Sequence, residues 1–295
     1  MQLRQMRHFL AALDTGSMTQ AARDQNVTQP TLSRSIRMLE LTLKVDLLER
    51  SHGGVMPTRY GEAFAEHARS IIAGTRQAQD DVSAMRAGRL GHVRLGLGES
   101  ALLAPVARSI GRLSLLREDL RVSLDYDVQD SQLAKLRRGE LDAIIDLGRP
   151  DLDVDDLRYK AVAKLAMVVM VRPEHPYARK GKVSLQELAC MPWAILDQPG
   201  ADNYYRQMLG GEEVFRNIRL RCVAPTMLRM IALESDMLIM MTRINDQKAA
   251  DDVLVELETD IPPVTTDLCL ITRRRSYMTG ALRFSLEEIT RGLAQ

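Results

Sequence analysis

Apolar residues recur at helical spacing along the first third of the chain. Met6, Phe9, Leu10 and Leu13 form one stripe, and Leu32, Ile36, Leu39 and Leu43 form another at four-, three- and four-residue intervals. Between them, Ser17 with Gln20 three residues on predicts an S-x-x-Q capping box at the start of a short helix. Ala21 and Ala22 are small enough for close helix approach, and Asn26 and Val27 make the corner. Thr28 caps the next helix, where Pro30 is tolerated because the first turn has no hydrogen bond to lose. From Leu47 to Thr58 the pattern reads as two short strands turning at Gly53 and Gly54. Then Phe64, Ala68, Ile71, Thr75, Ala78, Val82 and Met85 alternate four and three residues, a coiled-coil seam of about three heptads. Ala87 to Gly91 reads as a hinge.

Beyond the hinge, strands and helices alternate. Strands are predicted at 92–98, 120–128, 141–146, 163–172, 193–196, 218–223, 238–242 and 265–272. Helices are predicted at 100–116 and 132–138, from Asn203, from Thr226, and at 276–293. This is a parallel α/β layout in two similar lobes, with the long strands 163–172 and 265–272 crossing between them. The predicted class is α plus α/β. It comprises a winged helix-turn-helix at 1–60, a linker helix at 61–90 and a two-lobed domain at 91–295. Lobe I takes 91–162 and 268–295, and lobe II takes 163–267.

The net charge of +1 excludes no partner. Residues 1–90 hold 12 Lys and Arg against 9 Asp and Glu, and the remainder 28 against 30, an asymmetry that permits DNA binding without arguing for it. No apolar run approaches the roughly 18 residues that span a bilayer, and the start lacks a secretion signal, so cytoplasm is the expected location. Cys190, Cys222 and Cys269 are odd in number and widely spaced, which fits buried thiols in a reducing compartment. His8, His52, His67, His92 and His175 fall in no metal-ligand spacing and are expected at the surface, so no metal is expected.

The outward face of the 28–43 helix carries Gln29, Pro30, Thr31, Ser33, Arg34 and Arg37, groups that pair with base edges and phosphates in a major groove. Arg50 and His52 sit at the edge of the two-stranded wing, within reach of phosphate or a minor groove. Residues 3–61 resemble the winged helix-turn-helix of LysR-type transcriptional regulators. The pattern is matched by Phe9 and Leu10, Gly16 and Ser17, Ala21 and Ala22, Val27 to Pro30, Leu32 to Ile36, Leu39 and Glu40, Leu48 to Arg50, and Thr58 with Gly61. The run from Leu136 to Ile145 is similar to that family's L-x-x-G-E-L-D turn, which extends the resemblance over nearly the whole chain. It implies operator DNA as partner, a small-molecule effector between lobes shaped like periplasmic binding proteins, and a dimer of dimers. It also admits RNA polymerase as a partner, and implies neither cofactor nor catalysis. Phe64, Ala68, Ile71, Ala78, Val82 and Met85 would be the dimerisation contacts.

Ligands of open α/β sheets lie beyond the carboxyl ends of the strands. By resemblance, Ser100, Ser131 and the loop Gly200, Ala201, Asp202 and Asn203 align with effector contacts, and Thr226 lies at a further strand end. Ser100 is expected to cap the helix that follows it. The Ser235 to Leu238 run resembles the subgroup regulating sugar-binding-protein and aromatic-acid catabolism genes, which implies a sugar or an aromatic acid. Met227, Met230, Met237, Met240 and Met241 read as adaptable core. Two other readings stand beside this one. Gly96, Gly98 and Ala101 fit a G-x-G-x-x-A dinucleotide fingerprint with Asp119 or Asp125 as ribose ligand, although Glu99 would sit where a pyrophosphate must lie. The other is a cysteine-based redox-sensing regulator, which needs a low-pKa thiol beside a resolving partner.

Overall fold

The computed structural model describes residues 1–51, 54–148, 156–197, 205–206, 217–244, 253–260, 264–274 and 278–294. Helices α1 (Leu3–Thr15), α2 (Met18–Asp24) and α3 (Gln29–Leu43) close on a core of Met6, Phe9, Leu10, Ala21, Leu32, Ile36 and Leu39. Ser17 caps α2 by accepting from Gln20 N at 3.3 Å, but the expected reciprocal half of the box is missing. The Ser17 amide already donates to Thr15 Oγ1, and the Gln20 side chain turns forward to Asp24 at 2.8 Å. Asn26 takes φ +53 at the corner, and Thr28 accepts from Thr31 N to start α3.

The wing strands β1 (Leu48–Ser51) and β2 (Gly54–Pro57) pair antiparallel with Ser51 opposite Gly54. Gly54 is thus already strand and not part of the turn expected at Gly53 and Gly54; His52 and Gly53 lie outside the described residues. Gly54, at φ +121, lies where a Cβ would come within 2.6 Å of Gly16 O, and Val55 N donates to that same oxygen at 2.9 Å. Only glycine fits both demands.

Helix α4 (Arg59–Arg86) runs unbroken for 28 residues, about 42 Å at 1.5 Å per residue. Thr58 holds its start twice over, accepting from Gly61 N at 3.0 Å and donating to Asp46 O at 2.7 Å.

The α/β part is built on β3 (Gly91–Leu97), α5 (Ala104–Leu116), β4 (Leu120–Tyr126), α6 (Gln129–Arg137), β5 (Ala143–Leu147), β6 (Leu157–Val171), α7 (Leu185–Cys190), β7 (Trp193–Leu196), β8 (Ile218–Cys222), α8 (Pro225–Leu233), β9 (Ile239–Ile244), β10 (Val255–Glu256), β11 (Thr265–Arg273) and α9 (Gly280–Leu293). The main sheet runs β10-β6-β11-β5-β3-β4, with β9 also on β6. Strands β3, β4 and β5 are parallel, but β11 pairs antiparallel with β5 and β6, so the sheet is mixed and not the parallel one expected. Strand β6 carries the crossing. Its first part pairs with β11, and its last part pairs with β9 and β10.

At that far end Val169 and Val171 enter one core with Trp193 and Ile195, while Val168 and Met170 enter another with Ala194 and Leu228. Burial on both faces explains the continuous apolar run that marks the strand in the sequence. The expected start at Ala163 is six residues late. Arg158, Lys160 and Lys164 interrupt the apolar pattern, yet their backbones pair with β11.

The expected helix 100–116 is two pieces, a 3-10 turn over Glu99–Ala101 and then α5 from Ala104. Pro105 has no N–H to give Ala101 O, and its ring would press on that carbonyl in a continuous helix. Ser100 therefore caps no helix. The expectation of surface histidines also fails for His8 and His175, which are buried. Burial and neighbouring Arg4 lower the pKa of His8, while His175 Nδ1 accepts from Tyr177 N.

Candidate DNA-reading surface and effector cleft

Leu32, Ile36 and Leu39 point inward on α3, which leaves Gln29, Pro30, Thr31, Arg34 and Arg37 exposed on its outer face and Ser33 half-buried beside them. The Thr31 hydroxyl lies 2.8 Å from that of Thr28, so the helix cap holds one of these groups in place. A groove of about 920 Å³ runs between this helix and the wing, lined by Ser33, Arg34, Arg37 and Lys44 on one side and Leu48 and Val55 on the other. Arg50 lies on β1, but its side chain is outside the described residues.

Glu40 sets the wing against the helix. Its carboxylate accepts from both Leu47 N (2.9 Å) and Leu48 N (3.2 Å), a role no spacing argument reveals because the partners are backbone amides seven and eight residues on.

On α4 the predicted seam divides. Ala68 is fully buried in the core of its own helix-turn-helix, and Phe64 packs against that core with its ring tilted 58° to Phe9 and centroids 5.6 Å apart. The first turns of α4 complete the small domain they emerge from, which closes Ala68 to a second chain while Phe64 keeps part of its surface exposed. Farther along, Ile71 is 40% exposed, Val82 58% and Met85 71%, and Ala78 is exposed. Thr75 turns its hydroxyl back to Ile71 O at 2.8 Å, which satisfies it within the helix.

At the carboxyl ends of β3, β4 and β5, the two glycines of the apparent fingerprint have a different use. A Cβ on Gly96 would fall 1.9 Å from Gln132 Oε1, and one on Gly98 would fall 1.9 Å from Asp146 Cγ. They make room for these side chains, so no space remains for a pyrophosphate. Asp119 lies at the opposite end of β4, where it accepts from Leu90 N and the Arg117 guanidinium, which holds its carboxyl down at about 2. Asp125 is paired with Lys135 at 3.0 Å. Both carboxylates are thus taken up by cations of the chain itself.

The Ser100 hydroxyl makes no hydrogen bond among the described residues and sits almost buried at this end of the sheet. Ser131 does not offer its proton to the cleft, because it donates to Asp127 at 2.5 Å. Thr226 is exposed in the first turn of α8, and Gly200, Ala201, Asp202 and Asn203 lie outside the described residues. Asp146 lies near the carboxyl end of β5, at this same end of the sheet. Burial pushes its carboxyl up to about 6, against the pull of hydrogen bonds from Leu147 N and Gln129. Nearby Tyr126 is raised by burial and by the charges of Glu99, Asp146 and Asp127, which marks this end of lobe I as acidic.

The family described as "Bacterial regulatory helix-turn-helix protein, lysR family" matches residues 3–62, and the "LysR substrate binding domain" family matches residues 86–294. The chain belongs to the LysR family of transcriptional regulators. This LysR-type regulator is 32% identical over 241 residues to the SDS degradation transcriptional activation protein of a Pseudomonas species, covering 81% of this chain and 78% of that one. It is 30% identical over 213 residues to the uncharacterized HTH-type transcriptional regulator YnfL of Escherichia coli, with 71% and 70% covered. Its fold matches full-length CbnR complexed with its target DNA at a TM-score of 0.70 and 19% identity, covering 99% of this chain and 100% of that chain.

It is thus a DNA-binding transcriptional regulator with a small-molecule effector domain, a non-enzymatic class, and none of these relatives is named as a dinucleotide enzyme. Its three cysteines are free thiols, but the expectation of buried ones holds for Cys269 alone, since Cys190 is exposed and Cys222 half-buried; burial with Asp267 and Asp146 nearby pushes Cys269 up to about 11, opposite to what a redox sensor needs. Among the described residues no helix is long and apolar enough to cross a membrane. Met227 and Met230 are exposed on α8 and not core, since Leu228 and Ala232 take its inner face.

Proposed function

We propose that this regulator reads its operator with Gln29, Pro30, Thr31 and Ser33 at base edges, and with Arg34, Arg37 and Arg50 on phosphate or groove walls. The observation that carries this is the exposure of the α3 polar face while its apolar stripe is fully spent on the core. Chains pair through Ile71, Thr75, Ala78, Val82 and Met85, and effector domains join the pairs into a tetramer. The working units are residues 1–60, 61–90 and 91–295, with the effector held between lobe I (91–162 and 268–295) and lobe II (163–267). This reading puts the protein in the cytoplasm, acting beside RNA polymerase at a promoter. Ser100, Ser131, Thr226 and the Gly200 to Asn203 loop would contact the ligand.

Of the two effector classes implied by resemblance, the acidic rim around Asp146 favours a neutral sugar over an aromatic acid, because a carboxylate would enter beside like charge in a poorly solvated cleft. DNA selected in vitro with the full chain tests the first half. Gln29→Ala should change sequence preference by roughly 1–3 kcal/mol per lost bidentate contact. Arg34→Ala should weaken all sites alike and flatten the salt dependence. Unchanged binding by both variants in a gel shift would refute the docking. A thermal-shift panel of sugars and aromatic acids tests the second, and stabilisation by the acids alone would overturn it.

A further inference from the structure

The Leu136 to Asp142 turn carries the L-x-x-G-E-L-D pattern seen in the sequence, yet neither DNA reading nor the cleft uses it. The structure lays it against the linker helix. Gly139, at φ +73, faces α4 so closely that a Cβ would come within 3.3 Å of Ala73 Cβ. Asp142 is 3% exposed and accepts from Arg94 N at 2.8 Å and from Gln77 Nε2 of α4 at 3.2 Å. The Arg94 guanidinium reaches back to Asp80 of α4 at 2.6 Å and lies 3.8 Å from Asp142. The Ser70 hydroxyl of α4 lies between Glu66 O of its own helix at 3.1 Å and Arg137 O at 3.2 Å, sharing its proton between them. Beneath the turn, Arg273 of β11 donates to Leu136 O and Leu141 O, which holds it to the sheet.

Ser70, Ala73, Gln77 and Asp80 recur at three, four and three residues, so they form one helical stripe. At 100° per residue it is centred about 140° around the helix from the stripe of Ile71, Thr75, Ala78, Val82 and Met85. One face of α4 is therefore seated on its own lobe I while the other stays exposed. Both strands beneath the seat lead to the cleft. Arg94 lies on β3, which ends at Leu97 just before Gly98, and Asp142 precedes β5, which carries Asp146 about 13 Å farther on. Past the seat, Gly88 and Gly91 both take positive φ, the conformation that favours glycine, before the chain enters β3.

We infer that the Gly139 to Asp142 turn and Arg94 form a polar seat for the linker helix, in which Arg94, Asp142 and Gln77 are positioning residues for the DNA-binding head. The inference rests on the proposal above that the linker helix connects the effector lobes to the DNA. Because the seat is made of directional hydrogen bonds and ion pairs, a small displacement of β3 against β5 would tilt the helix.

Hydrogen–deuterium exchange on the full chain tests the seat directly. Gln77→Glu sets a carboxylate against Asp142, Gln77→Met removes the donor without adding charge, and Asp80→Asn removes the partly exposed partner of Arg94. All are surface changes on a helix, and circular dichroism checks that each variant is folded. Gln77→Glu and Asp80→Asn should speed exchange at least tenfold across 69–86 and 136–142 while leaving 3–43 within twofold. Gln77→Met should lie between these variants and wild type. Unchanged exchange in both charged-site variants would show that no such seat holds the helix. A DNase footprint on an operator fragment selected with the wild-type chain tests the positioning. The protected spacing should change while affinity for a single half-site stays within threefold. Faster exchange with an unchanged footprint would leave the seat standing and overturn its role in positioning the head.

Discussion

Replacing Asp146 by asparagine isolates the electrostatics of the cleft. The carboxyl is 5% exposed, and burial raises it from 3.8 to about 6 despite hydrogen bonds from Leu147 N and Gln129. Ionising it in the folded state therefore costs about 3 kcal/mol more than in the unfolded chain, at 1.36 kcal/mol for each pH unit. Because the folded-state value is the raised one, the protonated acid favours folding. That contribution is complete below about pH 3.8 and is lost as pH rises through about 6.

Asp146→Asn keeps the size of the side chain and abolishes the titration. The variant should be more stable than wild type by about 1–3 kcal/mol at pH 7.5, the lower figure allowing for an amide that accepts less well from Leu147 N. The advantage should shrink towards zero or reverse near pH 4.5. Other perturbed acids, among them Asp142 and Asp81, are present in both proteins and cancel in the difference. Urea unfolding followed by far-ultraviolet circular dichroism between pH 4.5 and 8, on equal chain concentrations, reads the effect. Stability curves for the two proteins that run parallel across this range would show that Asp146 is not a destabilised buried acid.

Gly61→Ala places a Cβ 2.0 Å from Leu47 O, a backbone atom fixed in the wing joint. The strain should outweigh the ~1 kcal/mol of added helix propensity and destabilise the head by about 1–3 kcal/mol net, seen as a lower thermal midpoint with weaker DNA binding. An unchanged midpoint would mean the joint gives way freely. Ile71→Glu puts a charge on an exposed linker position, so the monomer should fold normally. Pairing across that face should lose several kcal/mol, and sedimentation at micromolar concentration should show a lighter species than wild type. Association equal to wild type would move the dimer contact off this stripe.

The DNA-reading face was legible in the sequence because its signals are local. A cap at Thr28, a stripe at Leu32, Ile36 and Leu39, and the polar positions between them belong to one helix, where spacing alone sets direction. The same logic succeeded for β3 and α8 to within a residue or two. It failed at Ser100 because Pro105 acts on a carbonyl four residues upstream. It failed at the seam because periodicity shows which residues share a face and not what that face meets. Phe64 and Ala68 lie on the same stripe as Ile71, yet the head that folds back on α4 covers only the first of its turns.

Sequence by itself determined the order of most elements, though not α7 or β10, together with the family and the polar outer face of α3, all products of near-neighbour spacing and of a dense run of motifs. Tertiary structure alone decided why Gly96 and Gly98 are glycines, since Gln132 and Asp146 arrive from elements 30 to 50 residues away to fill the space a Cβ would take. It alone brought Asp142 and Arg94 onto α4 and buried Asp146 until its carboxyl titrates near 6. Contacts of that kind depend on where a strand lies in the sheet and on how much water is excluded around it, and neither quantity is written in any short stretch of chain.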